Sequence, residues 1–104
     1  HQGLDIAINQ GANVYAPADG IVRHIKKTFI KNKGFGKHII IEHGYGLETL
    51  HAHLSSINVH TGQQVKRNDI IGQTGSSGKS TAPHLHYGVY LNGKPQNPLY
   101  FILE

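Results

Sequence analysis

Two short patterns could do chemistry. His84-Leu85-His86 and His51-Ala52-His53 each set two imidazoles two residues apart. Successive side chains on a strand point to opposite faces, so i and i+2 share a face while the residue between them turns to the other side. By this parity His84 and His86 stand together with Leu85 in the core, and His51 and His53 face out together with Ala52 and Leu54 inward. Pro83 disfavours a helix at the first pair. Such pairs can supply one or two metal nitrogens or move protons. His1 and Asp5 also share strand parity, with Gly3 leaving room for an ion, and Asp5 adds a hard oxygen. One Asp and two His form a borderline N/O donor set suited to zinc, and three protein ligands leave the fourth position open, as a catalytic site requires. Spacing alone does not separate His84 from His86 as the third ligand.

Other motifs carry less. Gly75-Ser76-Ser77-Gly78-Lys79-Ser80-Thr81 has the composition of a phosphate loop, but Gln73 stands where its first Gly belongs, and Ala82-Pro83 would cut short the helix it must open. It reads as a loop presenting Ser80, Thr81 and then His84 at the rim of a groove. No Gly-x-Ser-x-Gly elbow supports a serine nucleophile. His24, His38, His43 and His60 lie in basic or loop contexts without partner spacing.

The elements that must position these groups are short strands. Leu4, Ile6 and Ile8 alternate with Asp5 and Ala7, Gly20-Ile21-Val22 follows an Asp-Gly turn, and His38-Ile39-Ile40-Ile41-Glu42 is a continuous run of central-strand type. Leu85, Tyr87, Val89 and Leu91 form one face of a strand that ends in Asn92-Gly93, a strong hairpin signal. Gly34-Phe35-Gly36 and Gly75 to Gly78 read as loop tips. The segments opening at Gly11 and Gly62 resemble the paired hairpins of lipoyl- and biotinyl-type sandwiches. Thirteen Gly and four Pro in 104 residues make long helices improbable and give one all-β domain.

Charge narrows the function. Ten Lys and Arg against six Asp and Glu give +4, and nine His outnumber the acids. Six of the basic residues, Arg23, Lys26, Lys27, Lys31, Lys33 and Lys37, fall in one stretch, which reads as a solvated loop or as a face for an anionic polymer. A nucleic-acid binder would interleave aromatics there, and only Phe29 and Phe35 are available. With no Cys, thiolate zinc sites, disulfides and cysteine nucleophiles are excluded. No apolar run approaches the ~20 residues of a bilayer span.

Taken together, these residues resemble the lysostaphin-type (LytM-like) zinc metallopeptidases, bacterial endopeptidases acting on peptidoglycan. The resemblance spans nearly the whole chain: His1-x-Gly3-x-Asp5 with Val14-Tyr15-Ala16 and Asp19-Gly20-x-Val22, then Leu50-His51-Ala52-His53-Leu54, then Ser80-Thr81-Ala82-Pro83-His84-Leu85-His86-Tyr87. It implies a compact antiparallel β-sandwich of duplicated hybrid-motif type, with a groove over one zinc held by His1, Asp5 and His86. His53 and His84 are then the catalytic pair off the metal, moving protons while zinc-activated water attacks the amide. His51 stands where the family usually has Tyr, and is expected to line the substrate groove. Tyr87-Gly88 replace the common Phe and acid, which touches no ligand.

The implied function is hydrolysis of peptidoglycan stem or bridge peptides. Leu54 directly after His53, without a long insertion, leans toward D-alanyl-diaminopimelate cross-links rather than glycyl-glycine bridges. The alternative is a catalytically silent wall-binding domain that activates another hydrolase, but the chain keeps every ligand. Residues 1–104 are expected to be a single monomeric catalytic domain excised from a longer protein and working outside the cytoplasm, in the periplasm or cell envelope, with no nucleic-acid partner and no membrane span.

Overall fold

The period-two segments become strands. The computed structural model describes residues 4–7, 9–28, 34–75 and 84–97, with Asp5 and His84 described by their strand positions. Among these residues there are ten strands and no helix: β1 (Leu4–Ala7), β2 (Asn13–Tyr15), β3 (Gly20–Lys26), β4 (His38–Gly44), β5 (Leu47–Ala52), β6 (Leu54–Ile57), β7 (Gln64–Val65), β8 (Ile70–Thr74), β9 (His84–Leu91) and β10 (Lys94–Gln96). They form an antiparallel seven-stranded sheet in the order β1-β9-β5-β4-β3-β7, with β10 on β9, and a three-stranded sheet in the order β2-β8-β6. β1 pairs residues 84–87 of β9 and β10 pairs residues 89–91, while β5 takes the other side of β9.

Tight turns fix the register. Tyr45-Gly46 joins β4 to β5 and Asn92-Gly93 joins β9 to β10, with φ of 53° and 78°, and 51° and 81°. Positive φ at both central residues is the two-residue hairpin geometry that matches strand twist. The Asn92-Gly93 expectation holds.

The core lies between the sheets. Val22, Ile39, Ile41 and Val65 from the large sheet meet Val14, Leu54 and Ile71 from the small one. Val22 and Ile25 are three residues apart, which alternation would send to opposite faces. A register shift between Val22 and His24 lets Val22 pair with Ile41 and Ile25 with Ile39, so both face the core. The same shift leaves His24, Lys26, His38 and Ile40 at positions of the outer face.

Candidate active site

The register brings together residues that are far apart in sequence. Asp5 of β1 lies opposite His86 of β9, and His86 is in turn opposite Ala52 of β5. Cross-strand partners lie on one face with Cβ atoms roughly 4.5–5.5 Å apart. His84 precedes His86 by two residues in the same strand and shares its parity. A carboxylate position thus adjoins two imidazole positions on the outer face.

His53 reaches the same place by another route. β5 ends at Ala52, and His53 has a φ of 59°. A left-handed backbone at a residue other than Gly costs on the order of 1–3 kcal/mol and persists only when the surroundings hold it. Here the His53 N–H donates to the Phe35 carbonyl (2.8 Å), and the His53 carbonyl accepts the Gly75 N–H (3.0 Å). The turn puts the His53 ring 6.1 Å from that of His86, at 76° between planes. Gly75 can sit there because it lacks a side chain: a Cβ would lie 2.7 Å from the Ser55 nitrogen.

Phe35 occupies the same face. Its ring stacks on His86 at 5.3 Å and 23°, and meets His38 edge-on at 5.9 Å. His38 donates from Nδ1 to the Gly36 carbonyl (2.9 Å), and its ring lies 5.4 Å from His24. Burial and then the neighbouring His24 and Lys26 charges hold the His38 pKa below the ordinary range, against the opposing Gly36 bond. Sequence spacing had given His24 and His38 no partners. The signal for Phe35 was an aromatic flanked by two glycines, read only as a loop tip. Gly34 and Phe35 do form a turn, but Gly36 is buried.

His51 is where expectation and structure part. Parity placed it beside His53 in the substrate groove. In the register His51 pairs with Tyr87 and Ile39, on the core face opposite to His86, and it is 2% exposed. The alternation holds as far as Ala52, and the left-handed turn at His53 breaks it. The His51 ring packs 5.4 Å from Tyr87 and lines a cleft of about 320 Å³ with Ile6, Tyr15, Pro17 and Leu85.

A hydrogen-bond chain fixes the His51 tautomer. His43 donates from Nδ1 to the Asp19 carbonyl (2.9 Å), so in its neutral form Nε2 accepts from the Thr49 hydroxyl (2.8 Å). Thr49 Oγ1 is then left to accept from His51 Nε2–H (3.1 Å). That leaves His51 Nδ1 as a buried lone pair with no hydrogen-bond partner among the described residues. Protonating it would bury a charge, and burial, aided by the nearby His43, lowers the His51 pKa to about 3.

The other expected residues fall as follows. His1 lies outside the described residues, as do Lys31, Lys33 and Ser76 to Pro83. Arg23 pairs with Glu48, and Lys37 Nζ donates to the Ser55 carbonyl (3.1 Å), so these two basic residues of that stretch have partners within the fold. Among the described residues no three His, Asp or Glu side chains form a metal-sized cluster, and of the expected ligand set only the His86 side chain is among them. The donor chemistry nevertheless fits zinc, since Asp5 and His86, an oxygen and a nitrogen donor of the expected set, are cross-strand partners.

Comparison with known proteins bears on the family and the fold. Residues 1–98 match the model of peptidase family M23. The chain is 45% identical over 100 residues to the DD-carboxypeptidase/endopeptidase Mpg of Neisseria meningitidis serogroup B, covering 95% of this chain and 22% of that protein. It spans about a fifth of the length of the curated relatives it matches. Its fold is similar to the catalytic domain of the antimicrobial peptidase lysostaphin from Staphylococcus simulans, with a TM-score of 0.86 and 36% identity over 98% of this chain and 78% of that one. A zinc-containing peptidase from Vibrio cholerae gives a TM-score of 0.82 and 37% identity, over 90% of this chain and 28% of that one. With a match over nearly its whole length and an all-β sandwich of the same fold, the chain belongs to peptidase family M23.

Proposed function

We propose that this domain is a zinc-dependent endopeptidase that hydrolyses peptide cross-links of bacterial peptidoglycan, with His1, Asp5 and His86 holding one zinc and His53 and His84 acting off it. The observation that carries the reading is the juxtaposition of Asp5 opposite His86 with the His53 ring turned to within 6.1 Å of His86. When bound, zinc supplies Lewis-acid polarisation of the scissile carbonyl and a lowered pKa for water.

The chain's own residues do the rest. The His53 imidazole, its backbone pinned on both sides by Phe35 and Gly75, takes the proton of the attacking water or returns one to the departing amine. His84, two residues from His86 in β9, shares this work and steadies the oxyanion. Besides the proposed ligand Asp5, the signatures hold one carboxylate, Asp19, and it accepts the Arg67 N–H. Nothing at the site favours the silent activator.

The substrate in this reading is the D-alanyl cross-link, in line with the name of the Neisseria relative, a DD-carboxypeptidase/endopeptidase. The domain works outside the cytoplasm as a single monomeric unit. No helix among the described residues is long and apolar enough to cross a membrane. The test is mass spectrometry of purified cross-linked peptidoglycan incubated with the zinc-loaded protein. Conversion of cross-linked dimers to monomers that a chelator stops is expected, and dimers left intact would overturn the reading.

A further inference from the structure

We propose that Phe35 is a positioning residue that fixes the His86 and His53 side chains relative to one another; the inference rests on the reading of these two histidines given above. Three contacts meet in this residue. Its ring stacks on His86, its edge contact reaches His38, and its carbonyl accepts the His53 N–H. Phe35 therefore holds the proposed ligand by its side chain and the proposed proton carrier by its backbone.

Core packing does not account for the ring. Phe35 is 42% exposed, and the hydrophobic core lies on the other side of the large sheet. The ring stands instead on the outer face, against His86. Ala52, which flanks His86 in the register, carries only a methyl group and is fully buried. His86 on one side and His38 on the other are the rings that Phe35 touches. A flat side chain bridging these two rings limits rotation of the His86 imidazole about its own bonds.

The backbone around Phe35 is built to present it. Gly34 and Gly36 have φ of 64° and 63°, the left-handed region that glycine adopts without strain. Gly36 then accepts from His38 Nδ1, and the Lys37 carbonyl accepts the Leu54 N–H (3.0 Å), so residues 35–37 are tied to 53–54 on both sides of the turn. Those backbone bonds do not depend on which side chain stands at 35, whereas the stack on His86 does. Groups that orient a metal ligand from behind typically change metal affinity or activity by about tenfold to a hundredfold when removed.

The experiment compares the wild-type protein with Phe35→Ala and Phe35→Tyr, both zinc-loaded and metal-free. Three readouts are used: the His86 ring-proton resonances, zinc release to a competing chelator, and kcat and KM on cross-linked peptidoglycan fragments. Phe35→Ala is expected to lose the upfield ring-current shift of the His86 protons, to release zinc about tenfold or more faster, and to lose about tenfold to a hundredfold in kcat with KM little changed. Phe35→Tyr, which keeps the ring, is expected to restore all three. Unchanged zinc release and kcat in Phe35→Ala would overturn the proposal. A loss confined to KM would also overturn it, since that marks a substrate contact instead. If the wild type itself neither holds zinc nor cleaves, the enzymatic reading fails, while loss of the His86 ring-current shift in Phe35→Ala would still establish the stack.

Discussion

Acid should destabilise this fold through His51, and the size of the effect follows from its setting. The ring is fully buried, donates from Nε2 to Thr49, and has no partner among the described residues for its lone pair at Nδ1. Its pKa falls from 6.5 to about 3 on folding, chiefly through burial. Below pH 6.5 the unfolded chain takes up a proton at His51 that the folded chain refuses until about pH 3, so stability is lost as pH falls through that window. Each pH unit in the window costs about 1.4 kcal/mol, which gives roughly 2 kcal/mol by about pH 5. For a domain of this size that is a large fraction of total stability. The matching variant is His51→Phe, which keeps a ring against Tyr87 and removes the titration, while Thr49 retains its bond to His43. Urea unfolding of both proteins at about pH 7.5 and about pH 5 gives the comparison, and proton competition at other groups cancels between them. The wild type is expected to lose roughly 2 kcal/mol more than His51→Phe across that interval. Equal losses would refute the argument and place His51 in contact with solvent.

The same geometry has further consequences. His53→Ala and His84→Ala are each expected to keep zinc while kcat falls on the order of a hundredfold to ten-thousandfold, the usual range for general acid–base groups; zinc lost with His84→Ala would show that the two histidines of β9 had been assigned the wrong way round. Gly75→Ala drives a Cβ into the Ser55 backbone at 2.7 Å, next to the bond that holds the His53 carbonyl. A lowered Tm together with reduced turnover is expected, and a variant matching the wild type in both would remove Gly75 from the support of His53. Thr49→Val leaves His43 Nε2 and His51 Nε2–H without their shared partner. A loss of about 1–3 kcal/mol in chemical unfolding is expected, the usual cost of unsatisfied buried groups, and unchanged stability would contradict the hydrogen-bond chain.

Much of this was legible in the residues because strands obey simple rules. Alternation places His84 and His86 together, Asn92-Gly93 marks its hairpin, and the three motifs in order point to the family that the comparisons show. What escaped depends on departures from alternation. The register shift after Val22 sets His24 near His38, and the left-handed backbone at His53 turns His53 toward His86, away from the core face that His51 keeps by alternation. Neither follows from spacing, because each is held by partners distant in sequence: Ile40 and Ile41 for the first, Phe35 and Gly75 for the second. The Phe35–His86 stack requires that same long-range pairing before it can be seen.

The division of labour among the histidines is tested most directly by the zinc content of dialysed wild type, His53→Ala and His86→Ala, measured side by side on folded protein. One zinc per chain is expected in the wild type and in His53→Ala, and essentially none in His86→Ala. Zinc retained by His86→Ala, or lost from His53→Ala, would contradict the account.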